Sequence, residues 1–89
     1  MIAGTVTIVN RLGLHARAAT RLVNCASGFD SQVRVKKGTR SVNGKSIMGI
    51  LTLAAATGTE LVIETEGVDE QQAYESIEQL ISNRFGESE

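Results

Sequence analysis

The chain has 89 residues, 42% of them apolar, and nine Lys and Arg against ten Asp and Glu give a formal charge of −1. That length fits a single domain over residues 1–89, burying roughly 60% of its unfolded surface. The near-neutral balance and three aromatics (Phe29, Tyr74, Phe85) argue against nucleic-acid binding, and one Cys with one His excludes a disulfide framework or a Cys-rich zinc site.

In chain order, Val6 and Ile8 alternate with Thr5, Thr7 and Val9, the pattern of a half-buried strand. Asn10-Arg11-Leu12-Gly13 breaks it, and the period changes at Ala16. Ala16, Ala19, Leu22, Val23 and Ala26 share one predicted helical face, and Gly28 fits a left-handed residue ending that helix. Gln32 to Lys36 alternates again with Val33 and Val35 inward. Lys37-Gly38-Thr39 reads as a hairpin turn into a short strand at Arg40–Val42. Asn43-Gly44 turns the chain, and Ser46 is placed to cap a short helix whose buried stripe is Ile47 and Ile50, leaving Met48 and Leu51 partly exposed.

Glu60–Glu66 is a fourth strand with Leu61 and Ile63 on one face. After Gly67, Asp69 and Gln72 form a capping-box-like pair for a last helix striped by Ala73, Ile77, Leu80 and Ile81, which Gly86 terminates. Glu87-Ser88-Glu89 reads as a frayed acidic tail. The order strand, helix, strand, strand, helix, strand, helix predicts an α+β open sandwich, a mostly antiparallel sheet with helices on one face.

His15 is the one side chain whose ordinary pKa lies near neutrality. It stands where a Gly-containing loop meets the first helix. The first amides of a helix lack partners, and the helix dipole places partial positive charge there, so an anion is stabilised. Arg17 adds a guanidinium with paired donors for phosphate oxygens. Neutral imidazole is also a nucleophile. With no metal ligand and no partner carboxylate within reach by sequence, the set favours a group that accepts phosphate and gives it away. A bare His near a helix start is otherwise most often a surface or capping residue.

Leu12-Gly13-Leu14-His15-Ala16-Arg17 closely resembles the active-site signature of HPr, the histidine-containing phosphocarrier of the bacterial phosphoenolpyruvate-dependent phosphotransferase system. Asn43-Gly44-Lys45-Ser46-Ile47-Met48-Gly49-Ile50-Leu51 looks like that family's second signature, and the match spans essentially the whole chain. The resemblance implies an open-faced β-sandwich, a four-stranded antiparallel sheet covered on one face by three helices in the order βαββαβα. It implies a phosphoryl-transfer intermediate rather than a turnover enzyme. His15 would take the phosphoryl group on Nδ1 from phospho-enzyme I and pass it to enzyme IIA, while Arg17 and the amides of Ala16 and Arg17 stabilise it.

It also implies regulatory phosphorylation of Ser46 by an HPr kinase/phosphorylase. The docking face would comprise Thr20, Arg21, Asn24, Ile47, Met48 and Leu51. No cofactor, metal, nucleic acid or membrane is expected, and the family suggests a cytoplasmic monomer. No export signal or membrane-length apolar run is seen. One residue departs from the family pattern: Ala18 stands where Pro usually follows the Arg. Two other features carry less. Gly38 to Ser46 resembles a nucleotide-binding loop but has five residues between its glycines where four are needed. Cys25 reads as a small buried hydrophobe. The competing reading is a regulatory HPr-like module, of nitrogen-related or kinase-controlled type, acting through phosphorylation-dependent protein binding.

Overall fold

The computed structural model describes residues 1–89. Strand β1 (Ile2–Thr7) leads to α1 (Ala16–Ser27), then β2 (Gln32–Lys37) and β3 (Arg40–Asn43). The short α2 (Ile47–Thr52), β4 (Glu60–Glu66) and α3 (Glu70–Ser82) follow, and a single 3₁₀ turn spans Arg84–Gly86. The sheet runs β1-β4-β2-β3 and every neighbouring pair is antiparallel. β4 therefore lies between β1 and β2, which run in the same direction and are joined by α1. This is the expected four-stranded sandwich.

The register follows from the alternating residues. Val6 lies opposite Leu61, and Val35 is flanked by Ile63 and Val42. Val6, Ile8, Val33, Val35, Leu61 and Ile63 join Leu22, Val23, Ile50, Ile77 and Ile81 of the helices in one apolar core. On the sheet, the amine of Lys36 bonds the Glu64 carboxylate at 2.9 Å, between half-buried side chains. No helix is long and apolar enough to cross a membrane.

Several local expectations change. In α1 it is Ala18, not Ala16, that joins Ala19, Leu22, Val23 and Ala26 inside. Positions 18, 22 and 26, with 19 and 23, form two i,i+4 rows, whereas Ala16 sits in the first turn beyond the core. Gly28 keeps right-handed φ/ψ (−75°, −5°) and its amide bonds back to the helix, so no left-handed cap is needed. In α2, Ile50 is fully buried but Ile47 is 40% exposed, because six residues can turn only one side inward. Ser46 caps α2 as expected, its Oγ accepting from the Gly49 amide at 3.1 Å.

Asp69 precedes α3 without capping it. Its carboxylate crosses to the α1–β2 loop, accepting from the Asp30 amide (2.9 Å), the Ser31 amide (2.9 Å) and the Ser31 hydroxyl (2.5 Å). Glu70 takes up the local role, accepting from the Gly67 amide at 3.2 Å. α3 stops at Ser82, before Gly86, and Leu80 is half-buried. Cys25 is also half-buried, and that burial pushes its thiol pKa up.

Candidate functional site

The loop before α1 is set by Gly13. Its φ of +69° suits glycine, and a Cβ there would come within 2.5 Å of the Ala55 carbonyl oxygen. The next amide, of Leu14, donates to that same carbonyl at 2.8 Å. Leu14 is buried, which anchors the chain one residue before the histidine.

His15 is the N-cap of α1, with an extended backbone. Its carbonyl accepts from Ala19, but its ring does not cap the helix. The amides of Ala16, Arg17 and Ala18 thus have no backbone acceptor. The ring is 29% exposed. Arg17 is exposed and makes no ion pair or hydrogen bond, so its guanidinium is available to an incoming anion.

These groups border an open cleft of about 740 Å³, shared by the start of α1 and the last four residues. The predicted fraying of the tail is not observed. Phe85 is fully buried, and the turn around it carries Glu87 back across the cleft. The Glu87 side chain, 12% exposed, brings Oε2 to 2.5 Å from His15 Nε2. Its Oε1 accepts from Asn10 Nδ2 at 3.0 Å. Asn10 is fully buried and also donates to the Gly13 carbonyl at 2.8 Å. Arg11 bonds Glu89 through both its amide (2.8 Å) and its Nε (3.2 Å). The Asn10 amide, helped by His15, holds the Glu87 carboxyl below the usual carboxylate range. A partner carboxylate therefore does reach His15, across 72 residues of sequence. No local spacing signals it.

Of the other candidates, Thr20 and Asn24 lie exposed on α1, and Met48 on α2 is 73% exposed. Leu51 is half-buried. α1 and α2 pack against each other, which puts these side chains on adjoining elements. Arg21 differs from the expectation of a free positive edge. Its Nη1 donates to the Phe85 carbonyl and so braces the C-terminal turn. No group of three or more His, Cys, Asp or Glu gathers as a metal site.

The model of the PTS HPr component phosphorylation site family matches residues 2–83. The chain belongs to the HPr family. It is a phosphocarrier of the phosphotransferase system, as its match to that family and to curated HPr proteins implies. The phosphocarrier protein HPr of Cupriavidus necator is 48% identical over 89 residues, covering all of both chains. The crystal structure of a Thermoanaerobacter tengcongensis HPr is 43% identical, with a TM-score of 0.96 over the full length of both. The solution structure of Crh, the Bacillus subtilis catabolite repression HPr, is 39% identical, with a TM-score of 0.67 over 90% of this chain and 95% of Crh. The HPr fold thus puts an accessible imidazole, an unpaired guanidinium and unpartnered amides at one helix start.

Proposed function

We propose that His15 is the phosphoryl acceptor, loaded by phospho-enzyme I and unloaded by an enzyme IIA domain. The observation that carries this is the place of His15 at the N-cap of α1, its ring open to the cleft and outside the helix's own hydrogen bonding. The Nδ1 lone pair forms the new N–P bond. The bond from phosphorus to the donor breaks, and its electron pair stays with the donor. The amides of Ala16 and Arg17 and the Arg17 guanidinium stabilise the phosphoryl charge. No cofactor or metal takes part. The protein is a carried intermediate, not a turnover enzyme.

Thr20, Arg21, Asn24, Ile47, Met48 and Leu51 form the docking face on the adjoining α1 and α2. Fast relay calls for a small, readily exchanged interface. A flexible, exposed Met suits a surface meeting more than one partner. Ser46 has a second role as the target of an HPr kinase/phosphorylase. A phosphate there would add charge beside Ile47 and Met48 and weaken docking of acidic partners. Incubation with such a kinase should place phosphate on Ser46; an unmodified Ser46 removes that role.

The experiment for the main reading is incubation with phosphoenolpyruvate and enzyme I. An acid-labile, base-stable phosphate is expected, absent from His15→Ala and lost on adding a IIA domain. The likeness to Crh favours a second reading, in which the output is binding to a regulatory partner. Phosphate that persists in the presence of IIA domains would support that reading over the relay.

A further inference from the structure

The chain between β1 and α1 closes as a tight turn. The Gly13 amide bonds back to the Asn10 carbonyl at 3.2 Å, which leaves Arg11 and Leu12 at the tip. Turn tips favour Gly, Asn, Asp and Ser, whose backbone freedom or side-chain hydrogen bonds suit the bend. Leucine supplies neither. Leu12 is also 62% exposed, so the core gains little from it. A lone exposed leucine on a surface needs no explanation. Two features set this one apart.

The first is a fixed position. Asn10 is fully buried and its Nδ2 donates to the Gly13 carbonyl at 2.8 Å, while Arg11 is held to Glu89 through its amide and its Nε. On the other side Gly13 packs against Ala55, and Leu14 is buried. The backbone that carries Leu12 is therefore anchored on both sides. The second is place. Leu12 borders the cleft that holds His15, and with Ala16 it is the only apolar lining there. Of the docking residues on α1 and α2, Arg21 alone reaches that cleft.

Direct transfer then imposes a contact. The donor's phosphorus has to come within about 3–3.5 Å of the ring nitrogen before the new bond forms. The His15 ring is 29% exposed, and Leu12 stands further out on the same rim. A donor that reaches the ring closes over the leucine. We propose that Leu12 is a specificity-determining contact for phospho-enzyme I, buried in the complex against an apolar patch of the donor. This rests on the reading of His15 as the acceptor. A donor with charged or hydrogen-bonding groups at that spot leaves them dehydrated and unpaired against the leucine, and binds less well.

The test measures steady-state phosphorylation by enzyme I and phosphoenolpyruvate while the concentration of the full chain is varied. Leu12→Ser places a residue suited to the turn, so the urea midpoint should not move. Its KM should rise about tenfold, the loss expected when a buried leucine contact is removed, with kcat unchanged. Leu12→Met, which keeps an apolar side chain of similar volume, should restore the KM. A KM for Leu12→Ser less than about threefold above the unsubstituted protein, or a loss confined to kcat, overturns the proposal. So does a Leu12→Met variant as impaired as Leu12→Ser. An unsubstituted chain that takes no phosphate on His15 overturns instead the reading beneath it.

Discussion

At the scale of single residues, the site separates groups that hold the fold from groups left free. Arg17 and Arg21 sit one helical turn apart on α1, yet Arg21 is tied to the Phe85 carbonyl and Arg17 has no partner. Arg17→Ala should therefore leave the urea midpoint unchanged, within ~0.5 kcal/mol. It should slow phosphorylation by enzyme I by about ten- to a hundredfold, since a charged hydrogen bond to phosphate is worth ~1.5–3 kcal/mol. A normal transfer rate in this variant would show that the backbone amides suffice. The motif around His15 made both the imidazole and this guanidinium legible. Asn10 and Glu87 were not legible, because neither belongs to a pattern until the chain end folds back.

At the scale of elements, the junctions matter most. Ala18 lies in the first turn of α1, where its amide has no backbone acceptor. Proline at this position removes no hydrogen bond and restricts the unfolded chain. Ala18→Pro should raise stability by ~0.5 kcal/mol in urea denaturation, and transfer should stay within a factor of about ten, the free-energy equivalent of ~1.4 kcal/mol. A larger gain in transfer would mean that Ala18 leaves the junction too loose. A second joint is Asp69, which links the α1–β2 loop to the start of α3. Bonds from the Ser31 hydroxyl first, then the Asp30 amide, hold its carboxyl below the usual range. A lowered folded value means stability that is present above the ordinary carboxylate pKa of ~3.9 and lost as pH falls through the lower one. Asp69→Asn should flatten this part of the acid limb when urea midpoints are followed below about pH 5. An unchanged acid limb would show that these bonds contribute nothing to stability.

At the scale of the whole molecule, one face of the sheet is closed by helices and the cleft beside His15 lies at the rim, between the start of α1 and the end of the chain. The proposed docking face stands outside this core. Met48→Glu should slow transfer from enzyme I without moving the unfolding midpoint by more than ~0.5 kcal/mol, because that side chain is 73% exposed. Unchanged transfer would move the docking face elsewhere.

The alternation of Val33 with Val35 and of Leu61 with Ile63, the α1 stripe from Ala19 to Ala26, and the loop-to-helix position of His15 are local patterns, and the sequence by itself determined them; that Ala18 rather than Ala16 completes the stripe was decided by the packing. Strand and helix periods depend on neighbours two to four residues apart, which the chain states directly. The tertiary structure alone decided that β4 inserts between β1 and β2, that Asp69 reaches Ser31, and that Glu87 meets His15. These contacts join residues 38 and 72 positions apart in the latter two cases. They exist because burying Phe85 and the helix stripes brings distant backbone together, and no local periodicity encodes where it arrives.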